Sequence, residues 1–262
     1  MERPYVLAFV GQKGGIGKTT SAVNIGAALQ ERGFRILEID LDPQGGLSRY
    51  LDAPASEGAR SVRAALTGAA PLVSLVKPTK SGLFLVPSHP SLATIGVEVT
   101  SYAEQRLSAA LEPLRELPEA ERFDFLILDC PPSLDLLPLN ALHAAHGVVV
   151  PISPEVLPAV TIPAVLKTIN EVRILGRRPD LRIVGVLPCQ VRRHTRLAQQ
   201  VSKLLPKLAP GAPLLPSVRM SIKVAEAPGN HLPLLQYSPR HPAAEDYRDV
   251  AEAILQQIGG RR

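Results

Sequence analysis

The sequence predicts an α/β fold, a mostly parallel twisted sheet covered by helices on both faces. Three observations carry this expectation. Short apolar runs alternate with longer amphipathic stretches along the 262-residue chain, the pattern of strand–helix–strand units rather than hairpins. Three of those runs end in groups suited to the carboxyl edge of a parallel sheet: a glycine-rich turn at 13–20, Asp40 with Asp42, and Asp129. The first run leads through its glycine-rich turn directly into an amphipathic stretch, and strand, turn and helix in that order are what a phosphate-binding loop requires.

The elements follow in order. Tyr5 to Val10 reads as the first strand and Ser21 to Arg32 as the helix after the glycine turn. Arg35 to Asp40 (RILEID) is a second buried strand, followed by Leu41 to Gly46 and a small-residue loop from Asp52 to Ala59. Ser61 to Thr67 predicts a short helix and Leu83 to Pro87 a short strand. Leucines at 107, 111 and 114 predict one amphipathic helix over Ser101 to Leu117. Phe125 to Asp129 is a continuous apolar strand ending in an acid. Helices are expected at 135–145, 161–175, 195–208 and 243–258, and strands at 147–152 and 181–187.

Hydrophobic residues make up 45% of the chain and charged residues 20%, an ordinary soluble composition with enough apolar material for a core. No linker, repeat or low-complexity tract interrupts it, so a single domain spanning 1–262 is expected. No apolar run approaches a membrane span. The amino terminus enters the first strand without room for a signal peptide, which makes a cytoplasmic location the expectation. Two cysteines, Cys130 and Cys189, exclude a disulfide framework or a cysteine-based metal site. Cys130 falls at a strand end, where a buried thiol is expected.

The stretch Lys13-Gly14-Gly15-Ile16-Gly17-Lys18-Thr19-Thr20 carries the chemistry. Its glycines let backbone N–H groups curl around an anion, and the following helix adds the positive end of its dipole. Lys18 is expected on the β- and γ-phosphates and the Thr19 hydroxyl on Mg²⁺. The usual pattern has glycine where this chain has Gln12, and it lacks the second cation, Lys13. Asp129 follows four apolar residues as a Walker-B acid does, placing it toward Mg²⁺ or a magnesium-bound water. Asp40 and Asp42 are two apart and face the same way on an extended chain. One would orient a magnesium water and the other polarise the attacking water as general base.

Charge is unevenly spread. From Arg173 to Lys223 there are eleven Lys/Arg and one acid, a net of +10, against +5 for the whole chain and therefore −5 for the remainder. A basic segment on an otherwise acidic protein points to a polyanion partner. It holds two clusters, Arg192-Arg193-His194-Thr195-Arg196 and Arg219 to Lys223. Lys203 and Lys207 lie one helical turn apart and share a face. The segment has no aromatic residue, so base stacking on single strands is disfavoured and sequence-blind contact with duplex phosphates is favoured.

These residues match a family pattern. KGGIGKTT with its extra lysine, IDLDPQGG and FDFLILDCPPS resemble the ParA/Soj group of deviant-Walker ATPases, related to MinD. The likeness continues through Leu139 to Leu142, Val149 to Pro151, Val224 to Pro228 and the AEDYRDVAEAI stretch. It implies a P-loop NTPase that binds ATP and Mg²⁺, hydrolyses ATP slowly, and forms an ATP-dependent homodimer. Lys13 would reach the partner copy's nucleotide; Gly14, Gly15, Ile16 and Gly17 would wrap the phosphates; Lys18 would bind ATP in its own subunit. Thr19 would ligate Mg²⁺, Thr20 would contact the α-phosphate, Asp42 would activate water, and Asp40 and Asp129 would belong to the magnesium shell. The resemblance further implies a nucleoid-associated protein whose dimer binds double-stranded DNA without sequence preference. A ParB-type centromere-binding partner would stimulate hydrolysis, and the cargo would be a chromosome or plasmid. Arg192, Arg193, His194, Arg196, Arg219 and Lys223 are the candidate DNA contacts; His194 and Lys223 stand where the family commonly has arginine. The competing reading is a MinD-like or other cargo-positioning ATPase. The membrane version requires a C-terminal amphipathic anchor, and Val250 to Arg262 is short and polar, so no membrane partner is expected.

Overall fold

A computed structural model describes residues 4–154, 158–192 and 195–259. Among these residues seven strands form, β1 (Tyr5–Phe9), β2 (Ile36–Asp40), β3 (Lys77–Pro78), β4 (Phe84–Val86), β5 (Phe125–Asp129), β6 (Gly147–Ile152) and β7 (Arg182–Pro188). They make one sheet in the order β3-β4-β2-β5-β1-β6-β7. Every neighbouring pair is parallel except β3 with β4 at the edge. β2, β5 and β6 are buried at every position. A parallel strand covered on both faces has no solvent side, which is why these runs are continuous rather than alternating.

Eleven α-helices are present among the described residues: α1 (Lys18–Glu31), α2 (Gly46–Tyr50), α3 (Val62–Thr67), α4 (Ile95–Glu98), α5 (Arg106–Leu111), α6 (Leu136–Ala144), α7 (Pro158–Ile174), α8 (Arg196–Leu208), α9 (Ile222–Glu226), α10 (Leu234–Tyr237) and α11 (Pro242–Gln257). Alternate residues of each central strand enter opposite cores. Leu7 and Phe9 of β1 pack with residues of α1, α2, α10 and α11. Val6 and Ala8 pack with residues of α3, α5, α6 and α7 on the other face. α8 shows its amphipathic character directly, with Lys203 and Lys207 exposed and Leu205 buried.

One expected element is corrected. The single helix expected over Ser101 to Leu117 is instead a 3₁₀ turn at Ala103–Gln105, then α5, then a second 3₁₀ turn at Glu112–Arg115. Tyr102 takes a left-handed backbone at φ 52°. Pro113 lacks an N–H and its ring crowds the preceding turn, so an α-helix cannot run through it undisturbed. Leu107, Leu111 and Leu114 are nonetheless buried. The periodicity therefore reported the buried face correctly and the helix's continuity wrongly. The short helices α2, α4, α9 and α10 were not expected; each is only four or five residues long, too short to show a helical period.

Candidate active site

The loop joining β1 to α1 lies at the carboxyl edge of the sheet. Gly15 and Gly17 adopt φ 74° and 90°, a region L side chains rarely enter. Gly17 is the N-cap of α1; it offers no side-chain cap, and the first turn of the helix holds no acid. The N–H groups at that end are therefore left for an anion supplied from outside. Lys18 is only 6% exposed and its Nζ donates to the Lys13 carbonyl at 2.9 Å, closing the loop. Burial lowers the Lys18 pKa, opposed most by the charge of Asp129. Lys13, Gly14 and Gly15 are exposed on the rim, and Ile16 is buried beneath it. A pocket of about 240 Å³ opens between this loop, Asp42, Pro132 and Gln190, with Thr19 and Thr20 on its wall.

The acids arrive from adjacent strands. Asp40 ends β2, Asp129 ends β5, and the two are direct register partners. Both are fully buried. Thr19 Oγ1 donates to Asp129 Oδ2 at 2.6 Å, while Asp129 Oδ1 is buried with no hydrogen-bond partner. Asp40 is occupied differently: Oδ1 accepts the Asp42 N–H at 3.1 Å, and Oδ2 accepts the Ser48 N–H at 2.8 Å and the Ser48 hydroxyl at 2.6 Å. Burial, then the charge of Asp40, pushes Asp129 up to about 8. Burial likewise raises Asp40 to about 6, partly offset by the Ser48 bonds. Glu38, two residues before Asp40 and fully buried, is also pushed well up by burial and by both aspartates. Asp42 is half-buried on the wall of the pocket, its Oδ1 accepting the Gln44 N–H at 2.8 Å.

This donor set fits magnesium. The unpartnered Asp129 Oδ1 beside the Thr19 hydroxyl supplies hard oxygen donors, and a divalent cation would relieve the crowding of Asp40 and Asp129. No cluster of three or more His, Cys, Asp or Glu suited to a metal occurs among the described residues.

Three contributors were not visible in the sequence. Ser48, at the third position of α2, holds Asp40. Cys189 packs under the phosphate loop, with its Sγ 3.4 Å from Ser21 Oγ. A Cβ placed on Gly17 would lie 3.3 Å from Cys189 Cβ. Gln190 reaches back to donate from Nε2 to the Gly15 carbonyl at 2.8 Å, with its own backbone at φ 57°. No local pattern marks any of them.

The basic segment emerges beside this site. Val191 forms a bridge with Arg219, and Arg192, exposed, directs Nε to Met220 Sδ at 3.2 Å. Arg219 is bound by Asp246, which accepts from its Nε and Nη2 at 2.6 Å each and from its N–H at 3.0 Å. Lys223 pairs with Glu226 at 2.8 Å. Arg193 and His194 lie outside the described residues, as does the side chain of Arg196.

A parallel sheet with a glycine loop capping α1, two lysines on that loop and acids on adjacent strand ends defines a phosphate-loop ATPase of the deviant-Walker kind. A family model described as an AAA domain matches residues 5–183. The chromosome-partitioning ATPase Soj of Thermus thermophilus is 37% identical over 252 residues, 96% of each chain. The sporulation initiation inhibitor protein Soj of Bacillus subtilis is 33% identical over 95% of this chain and 97% of its own. Among solved structures, cobyrinic acid a,c-diamide synthase of Mycobacterium smegmatis, with bound ADP and magnesium, superposes with a TM-score of 0.83 at 33% identity, covering 98% of this chain and 97% of that one. The chain belongs to the ParA/Soj family of chromosome-partitioning ATPases.

Proposed function

We propose that this protein is a DNA-segregation ATPase whose ATP-bound form is a homodimer that binds double-stranded DNA without sequence preference. Hydrolysis, stimulated by a ParB-type partner, releases the DNA. The observation that carries this reading is the opposite placement of the two loop lysines. Lys18 is buried against its own loop, where it serves the nucleotide of its own chain. Lys13 is exposed on the rim; in this reading it meets phosphates held by a second copy, and a cation there offsets the negative charge enclosed between two subunits.

In this reading Gly14 to Thr20 wrap the phosphates and Thr19 with Asp129 holds magnesium. Asp40 belongs to the outer shell of the metal, fixed by Ser48. Magnesium, when bound, neutralises phosphate charge as a Lewis acid. Asp42 orients and deprotonates the attacking water. The loop 41–46, tied to Asp40 and running into α2, is the segment that γ-phosphate would order. Exposed Arg192, Lys203 and Lys207 supply positive surface for duplex phosphates, with Arg193, His194, Arg196 and Lys223 as further contributors and Arg219 as a support.

A membrane-positioning role is disfavoured by α11. Its apolar residues Tyr247, Val250, Ala251 and Ile254 are already buried in the core shared with α1, which leaves no apolar face for a bilayer. No described helix is long and apolar enough to cross a membrane.

The test is DNA binding and sedimentation with ATP, ADP or no nucleotide, with Lys13→Ala alongside. The wild type is expected to dimerise and bind DNA with ATP alone. Lys13→Ala should bind nucleotide within about threefold of wild type and remain monomeric. A Lys13→Ala protein that dimerises normally with ATP refutes the cross-subunit role, and liposome binding without DNA binding refutes the partition reading.

A further inference from the structure

Residues 189 to 192 link two parts of the molecule that the proposed function joins only in outcome. Cys189 packs against Gly17 of the phosphate loop. Gln190 donates its side-chain amide to the Gly15 carbonyl in the same loop. Val191 accepts the Met220 N–H at 3.0 Å and donates to the Val218 carbonyl at 3.0 Å. Arg192 then contacts Met220 and opens the basic cluster. Four consecutive residues thus touch first the phosphate loop and then the basic surface.

Gln190 is the pivot of this run. It lines the 240 Å³ phosphate pocket and also an adjoining cavity of about 270 Å³ formed with Val218, Met220, Val224 and Tyr247. Its left-handed backbone, φ 57°, is uncommon for a residue other than Gly, Asn or Asp, so the tertiary contacts hold it there. A trans peptide is planar, so pinning the Gly15 carbonyl also fixes the direction of the Ile16 N–H. One side-chain amide therefore sets the orientation of one of the phosphate loop's donors, the Ile16 N–H.

We propose that Gln190 is a positioning residue that holds the phosphate loop in its anion-receiving conformation and transmits occupancy of that loop to the Arg192 segment. This rests on the partition-ATPase reading for the identity of the two ligands. Triphosphate entering the pocket meets Gln190 directly. A shift of the amide moves the backbone at 190, and with it the Val191 pairing that carries Arg192.

The experiment compares wild type with Gln190→Gly and Gln190→Asn. Both residues tolerate a left-handed backbone, so both variants should fold and melt within about 3 °C of wild type. Neither places an amide at the Gly15 carbonyl. Affinity for a fluorescent ATP analogue is expected to fall about tenfold in each, the scale of one lost hydrogen bond at an anion site. The ratio of DNA affinity with ATP to that with ADP should fall toward one. A Gln190→Gly protein with wild-type triphosphate affinity overturns the proposal, as does wild-type nucleotide dependence of DNA binding. If wild type binds ATP but binds DNA regardless of nucleotide, the partition reading fails separately; the affinity measurement still judges Gln190.

Discussion

Thr19 Oγ1 and Asp129 Oδ2 are 2.6 Å apart and hydrogen-bonded, joining the first turn of α1 to the end of β5 across 110 positions of sequence. The bond leaves the second oxygen of a fully buried carboxyl without a partner. In the proposed reading, this hydroxyl and this carboxyl are the groups that would hold magnesium. Thr19→Val should weaken nucleotide binding in magnesium at least tenfold, and should also lower stability by about 1–3 kcal/mol by leaving a buried carboxyl oxygen without its hydrogen bond. Calorimetric titration and thermal melts with and without magnesium check both. Unchanged magnesium dependence would remove Thr19 from the metal site.

Asp42 lines the pocket and Asp40 does not, so the two acids divide in role. Asp42→Ala should bind ATP within about threefold of wild type but turn over at least 100-fold more slowly, the usual contribution of a positioned general base. Phosphate release measured beside analogue binding separates the two effects. Normal turnover in that variant would move the base elsewhere.

The strand-end acids predict a pH dependence with a definite sign. Asp129 is raised from 3.8 to about 8, by burial and then by the charge of Asp40, and Asp40 is raised from 3.8 to about 6 by burial. The folded chain therefore retains protons that the unfolded chain gives up. That stabilisation is complete below about pH 4 and is lost as pH rises through 6 and then 8. Without nucleotide and magnesium, the protein should melt several degrees lower at pH 8.5 than at pH 6. Asp129→Asn, which removes the carboxyl most raised by burial, should flatten the dependence and raise the melting point at pH 8.5. Melting that rises with pH across this window would contradict the reading.

Arg192 and Arg219 should behave differently when reversed to glutamate. Arg192 is exposed, and Arg192→Glu should weaken binding of all DNA sequences alike and reduce the salt slope by about one unit or more. Arg219 holds Asp246, which is 4% exposed. Reversing its charge leaves the buried Asp246 carboxylate without its partner and beside a like charge, so Arg219→Glu should lower the melting temperature first. Equal melting of the two variants would show that the Arg219–Asp246 pair contributes little to stability. A DNA assay on Arg219→Glu is informative only alongside its melting curve.

The candidate site was legible where its chemistry is local. The glycine turn, the second lysine and the acids at 40, 42 and 129 stand at recognisable spacings beside apolar runs, and those runs became β1, β2 and β5. Period-two geometry placed Asp40 and Asp42 on one side of an extended chain. The chain instead turns after Asp40: the Asp42 N–H bonds back to Asp40 Oδ1, and only Asp42 reaches the pocket. Pro113 shows the same limit, because apolar spacing reports which side is buried and says little about what breaks the backbone.

The sequence by itself determined the class of fold, the phosphate loop and the segment that carries positive charge, since each depends on neighbours a few residues apart. The tertiary structure alone decided that Asp40 faces Asp129 across adjacent strands, that Ser48 restrains Asp40 and that Gln190 reaches Gly15. It also decided that Arg219 is committed to Asp246. Those relations depend on the order and register of strands in the sheet. That order is set by the packing of the whole chain, and short-range pattern carries no record of it.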